Sequence, residues 1–409
     1  MKRSFLMWMG CLIALWSCQK EQVSPADGEN LRKLTFEEQE LIRATNQFAF
    51  TLTRQMADLN KGNIFLSPYD ISMNLSMALN GAENKTLSQM QKVMHCDHVL
   101  DRLAINKVYS DLTPFLRSID DKVSFVSAQA LWHQQEVILR PLFRDMMIAY
   151  YKAGVEPLNF ESRKAPSHIG KWIEERTLGR LEAQVPALSA NETLYAVSAS
   201  HFKGQWTFPF AKESTAPGTF HTENDTETIV PMMFTDQASY LYHQDSRKTL
   251  LDIPFGNTQY SMTILMPHQQ DSLSGLLLSM HPDAFAHDLS QADTLDYHLY
   301  LPKFSIYSQS PLKGALTAMG MPDAFTEYAD FSGMLGDSTQ YPLSQLMHHA
   351  GIELDEAGVQ SAMPRAAAAL GPDASPVVRI NRSFVFFIRE KHTGLILYSG
   401  IFDGLPEND

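Results

Sequence analysis

Few side chains in this 409-residue chain could do chemistry, and none falls into a catalytic pattern. His348 and His349 are adjacent; on a strand their rings point to opposite faces and cannot easily share a metal. Cys96 follows Met94 and His95 in a helical region. A thiol nucleophile needs a positioned base, and nothing in the sequence singles one out. The chain has no Gly-x-Ser-x-Gly elbow, His-Glu-x-x-His, Cys-x-x-Cys, Gly-x-Gly-x-x-Gly or phosphate loop. No cofactor, no metal and no enzymatic activity are expected.

One segment stands apart. Residues 357–376 hold seven alanines, three prolines, two glycines and no aromatic, between strand-like Ile352-Glu353-Leu354 and Val377 to Ile380. A structureless stretch of about twenty residues inside a compact domain is uncommon and is usually functional or disordered. This loop is the main clue to function.

The surrounding elements set its context. Thr35 with Glu38 reads as a capping box, before Leu41, Phe48, Leu52, Met56 and Leu59 at helical spacing. Ser67-Pro68 starts a second helix, ended by Gly81, and Thr86 with Gln89 opens a third. Val126, Ala128, Ala130 and Trp132 alternate as one face of a strand, and Ser167 to Gly179 reads as a helix. Later come strand candidates at Leu194–Phe202, Leu250–Phe255, Tyr260–Met266 and His298–Phe304. Phe384–Arg389 and Leu395–Ile401 flank a five-residue hairpin loop. Helices early and antiparallel strands late predict an α+β fold without internal repeats.

Composition narrows the partners. Thirty-three basic against 46 acidic residues give a net charge of −13, with no Lys/Arg run, so nucleic acid is not an expected partner. Three cysteines cannot make a disulfide framework. Lys2 and Arg3 precede an apolar run from Phe5 to Trp16, which reads as an export signal over residues 1–17. Leu15-Trp16-Ser17-Cys18 resembles a bacterial lipobox, with Cys18 the lipidated residue and 18–38 a polar tether. An envelope lipoprotein is expected, on a periplasmic or surface face, with a freely secreted product of ordinary signal cleavage as the alternative. Removing 1–17 leaves 31 positive against 46 negative charges, so any membrane contact rests on a lipid anchor.

Several segments in order resemble the serpin family. They are Asn63-Ile64-Phe65-Leu66-Ser67-Pro68, Ser198-Ala199-Ser200-His201-Phe202-Lys203-Gly204-Gln205-Trp206 and Leu301-Pro302-Lys303-Phe304. Ala318 to Phe325, Ala329-Asp330-Phe331-Ser332 and Phe384 to Arg389 match as well, and Glu353 to Gly358 is similar to the start of the family's hinge. The resemblance covers residues 40 to 404 and implies one domain over 39–409, with three β-sheets and eight or nine helices. It also implies an exposed reactive loop at about 357–376, a monomeric protein, and a protease as partner. After cleavage the loop of such a protein enters the main sheet, carrying a trapped acyl-enzyme across it. About fifteen inserted residues at roughly 3.3 Å span about 50 Å.

The family pattern carries over residue by residue. Glu356, Ala357, Gly358, Val359, Gln360, Ser361 and Ala362 match the hinge. Sixteen residues on from Glu356 the scissile bond falls at Pro372-Asp373, but a proline there suits few serine proteases. Ala369, Leu370 and Gly371 are the better cleavage candidates, and they favour elastase-, subtilisin- or papain-like enzymes. Pro364 lacks a donor for a central strand, and Arg365 shares parity with Val359, Ser361 and Met363, so it would point inward. Those two residues motivate the alternative: a non-inhibitory substrate or carrier. Trp206 and His348 match positions near the top of the main sheet, where insertion begins, and Ser67 a lower region that must part. Asp70 and Ser198 replace a small polar residue and an Asn often seen nearby.

Overall fold

The computed structural model describes residues 31–97, 100–336, 340–358 and 376–405, and every structural statement is of these. Helix α1 (Phe36–Leu59) begins as its capping box dictates: Glu38 N–H donates to Thr35 Oγ1 and Thr35 N–H to Glu38 Oε2. A short strand β1 (Ile64–Leu66) leads to α2 (Pro68–Leu79), capped by Ser67 with Pro68 in the first turn. Every residue of α2 is buried, so this helix runs through the centre of the molecule.

Next come α3 (Asn84–Val93), α4 (Arg102–Ser118), β2 (Val123–Gln134), α5 (Pro141–Tyr151), β3 (Gly154–Leu158), α6 (Ala165–Arg176) and β4 (Leu194–Gly204). A strand-rich stretch follows: β5 (Ala216–His221), β6 (Glu227–Gln244), β7 (Lys248–Phe255) and β8 (Tyr260–Pro267). Then come α7 (Leu273–Ser279), α8 (Pro282–Ser290), β9 (Asp293–Pro302), β10 (Phe304–Pro311) and α9 (Lys313–Met319). The chain ends with β11 (Leu343–Leu354), β12 (Val377–Arg379), β13 (Phe384–Glu390) and β14 (Ile396–Phe402). The α+β expectation holds, with nine α-helices among the described residues.

The main sheet has five strands in the order β10-β11-β4-β2-β3. Its central pair, β11 and β4, is parallel from Leu343/Leu194 to Ile352/Phe202, while β10 and β2 flank it antiparallel. The other nine strands form one continuous hydrogen-bonded ladder. It joins two of the three expected sheets, because β6 pairs first with β5 and then with β7 while β9 runs along both stretches. A register break between Thr235 and Ala238 marks the passage.

Alternation decides what each face of the main sheet meets. Leu346, Ala350, Ile352 and Leu354 of β11 face the central core with α2 and β14. Met347, with Val197 and Ala199 of β4 and Trp132 of β2, faces Ile169 and Ile173 of α6. Two expectations are corrected. The apolar run at His298–Phe304 is two strands, broken at Lys303, whose side chain turns to an acidic partner. The helix read at Ser167–Gly179 starts two residues earlier and stops at Arg176, before left-handed Leu178 and Gly179.

Candidate functional site

Beyond Leu354 the chain leaves β11 and passes alongside the segment that follows β4. Trp206 organises this crossing. Its ring is 1 % exposed and stacks on Phe255 at 4.4 Å between centroids. Its Nε1–H donates to the Asp355 carbonyl at 2.8 Å and its backbone N–H to that of Ala357 at 2.9 Å. Phe210 N–H donates to the Glu356 carbonyl, and Gly358 forms a parallel bridge with Trp206. A Cβ on Gly358 would stand 2.5 Å from Pro209 Cβ and 2.7 Å from its backbone, so the close approach requires glycine. Three backbone carbonyls in a row are thus held on the outward path, away from the sheet's interior.

Glu356 is the charged member of this crossing and is buried. Lys303 Nζ lies 2.8 Å from Oε2, and Thr215 Oγ1 donates to Oε1 at 2.8 Å. Burial alone would raise this carboxyl; Lys303 and Thr215 more than offset that and hold it below its ordinary value. Lys303 and Thr215 carried no local signal of this role, since each meets Glu356 only through the fold.

His348 sits elsewhere. The resemblance matches it, like Trp206, to the top of the main sheet, whereas it lies mid-strand in β11, eight residues before Glu356, or roughly 26 Å of extended chain. It faces the core, and its neighbours are Ser67 and Ser198. Ser67 N–H donates to His348 Nε2 at 2.9 Å, and His348 Nδ1 lies 2.7 Å from Ser198 Oγ. A nitrogen that accepts carries no hydrogen, so the ring is neutral with its proton on Nδ1, donated to Ser198. Burial, with His349 adding, pushes its pKa down to about 3. One imidazole thereby ties β11 to β4, at paired positions, and to the start of α2.

A polar layer continues across β4 and β2. Asn74 of α2 donates to Val197 O and to Gln129 Oε1, and Ser200 Oγ bonds Tyr398 OH at 2.7 Å. Asp70 accepts from Ser127 and from Gln129, and burial raises its carboxyl. Replacing His348 by Ala is expected to lower native stability by about 2–4 kcal/mol, because it orphans the buried Ser67 N–H and opens a cavity. His348→Gln keeps an acceptor and a donor and should cost less than half of that. Urea midpoints of the two variants check this order.

No catalytic constellation assembles among the described residues. Cys96 is buried, and burial pushes its thiol up to about 12, so it is inert at neutral pH. His348 and His349 face opposite sides of the sheet, as adjacent strand residues must. His243, Asp245 and Asp288 bring possible ligand atoms within 4.8 Å of one another, but Lys248 Nζ lies 2.7 Å from Asp245 and 3.1 Å from Asp288. No helix of the described residues is long and apolar enough to cross a membrane. Cys18, hinge residues Val359 to Ala362, Pro364, Arg365 and scissile candidates Ala369 to Asp373 all lie outside the described residues.

Comparison with known proteins agrees with this geometry. Residues 43–403 match the family model described as Serpin (serine protease inhibitor). Serpin B3 of Homo sapiens is 30% identical over 390 residues, covering 88% of this chain and 98% of that protein. Mouse protein-Z dependent protease inhibitor superposes with a TM-score of 0.83 at 20% identity, covering 90% of this chain and 98% of the other. Human thyroxine-binding globulin, solved as a ligand complex, gives a TM-score of 0.80 at 24% identity over 89% and 98% of the two chains. At such identities the two structures speak for the fold alone.

Proposed function

The chain belongs to the serpin family, and from that premise we propose that it is a suicide-type inhibitor of serine or cysteine proteases. The observation that carries this reading is the parallel β11–β4 pair at the centre of the main sheet, next to the Asp355–Gly358 crossing. A chain that leaves β11 and folds back between these strands runs antiparallel to both. One parallel ladder is then replaced by two antiparallel ladders, the slightly more stable arrangement per residue. The Trp206 contacts and the His348–Ser198 bond are what must be released first.

In this mechanism the protease attacks the loop within residues 369–373 and forms its acyl-enzyme. Insertion then pulls the attached protease away before deacylation. The serpin supplies strain and a covalent trap, and no catalysis of its own. Incubation with elastase, subtilisin and papain should give a complex that survives boiling in detergent. Clean loop cleavage without such a complex, across a broad protease panel, would sink the reading.

Pro364 and Arg365 favour a second reading, a cleavable carrier whose loop does not insert; a protein of this fold, thyroxine-binding globulin, has been solved in complex with a small ligand. Its distinguishing mark is a melting temperature that cleavage leaves unchanged. We further propose anchoring through Cys18, supported by the lipobox-like segment. Expressed in a bacterial host, the chain should partition into the detergent phase, and Cys18→Ser should move it to the aqueous phase.

A further inference from the structure

On the outer face of the main sheet lies a recess that the inhibitory mechanism does not use. It is lined by Gly179 to Glu182 of the loop after α6, Tyr307 to Gln309 of β10, and His349 and Ala350 of β11. Its volume is about 420 Å³, within the range of small-molecule sites. We propose that this recess binds a small planar aromatic monocarboxylate.

Three groups carry the assignment. His349 is 3 % exposed and lines the recess, yet its Nε2 has no hydrogen-bond partner. A buried ring nitrogen left this way is unfavourable, and a ligand oxygen would relieve it. Arg180 lies on the same wall, with Nη1 3.9 Å from Glu353 Oε1, too far for a hydrogen bond. The two form a loose, solvent-exposed ion pair with no hydrogen bond between them, and a carboxylate meeting the planar fork in bidentate geometry would outcompete it. Tyr307 is exposed at the mouth, and its hydroxyl donates to Glu353 Oε1 at 2.9 Å, which fixes the ring as a platform for an aromatic body. Leu181 supplies an apolar wall and Ala350 contributes backbone, while Glu182 and the nearby Glu353 disfavour a second negative charge on the ligand.

The recess joins two parts of the sheet that insertion must separate. One wall is β10 and β11; the other is the loop that leads into β4. A bound acid would hold these walls together and slow opening of the β11–β4 pair. That consequence rests on the inhibitor reading, whereas binding itself does not.

Calorimetric titration of the intact full chain with indole-3-acetate tests the site, with indole-3-acetamide as a neutral isostere. Saturable binding at one site is expected, at least tenfold weaker for the acetamide, for Arg180→Gln and for Tyr307→Ala. Both side chains are exposed enough for these variants to keep the wild-type melting temperature, which is checked alongside. His349→Leu should lose the acid while keeping the shape of the wall. Absence of saturable binding, or equal binding by wild type, Arg180→Gln and Tyr307→Ala, would overturn the proposal and leave only water at His349. Binding in a protein that traps no protease would uphold the site and remove only its effect on insertion.

Discussion

Cleavage between residues 369 and 373 is expected to raise the melting temperature by tens of degrees. The estimate follows from the parallel β11–β4 pair. Residues 359–370 entering between these strands add about twelve backbone hydrogen bonds at ~0.5–1.5 kcal/mol each, or roughly 6–18 kcal/mol in all. For a domain of this size about 1–2 °C accompanies each kcal/mol, so a rise of roughly 10–30 °C results. Pro364 removes one of those bonds, and Arg365 costs several kcal/mol if its charge is buried without a partner. The gain exceeds the penalty, so insertion should complete, though more slowly than with small residues at both positions. Calorimetry of native and cleaved protein measures the shift, and a change below about 5 °C would refute insertion. The double variant Pro364→Thr, Arg365→Thr should insert faster and divert less of the protein into simple cleavage.

Acidification from pH 7 to 4.5 is expected to remove about 5 kcal/mol of native stability through His348 and His349 alone. Burial holds their pKa values at about 3 and about 4, against about 6.5 in the unfolded chain. Both rings stay neutral in the native state, so below pH 6.5 the unfolded chain binds two protons that the folded one refuses. Stability present above pH 6.5 is therefore lost as pH falls, with a slope near two protons. His95, His133 and His201, also lowered by burial, steepen it. Glu356, held low, adds its loss only at the acid end, below its unfolded pKa, while raised Asp70 acts in the opposite direction. Chemical denaturation at several pH values gives the slope, and His348→Gln should lower it by about one proton. An unchanged slope in that variant would contradict a buried neutral His348.

The parts of the fold written in local patterns are legible in the sequence. The Thr35–Glu38 capping box and the Ser67-Pro68 start are short-range hydrogen-bonding chemistry, and both form as expected. The alternation at Val126 to Trp132 likewise predicts the face that meets α6. Local reading fails where a distant partner decides. Nothing near Lys303 announces that Glu356, 53 residues away, will break the strand there. Nothing near His348 announces Ser67, 281 residues away. α4 hides behind its internal Pro114, and the three residues of β12 are too few for a period. Resemblance singles out Trp206, but its donor bond to Asp355 O and its stacking on Phe255 are products of packing.

On the inhibitor reading proposed above, the outward-held Asp355–Gly358 segment also sets a clock. A protein whose working form is separated from a deeper minimum by a few hydrogen bonds at Trp206 ages at a rate, whatever its equilibrium free energy. Such rates rise ~3–6-fold for each 10 °C. Working life in a warm habitat, and shelf life in the laboratory, are then fixed by the height of that one barrier.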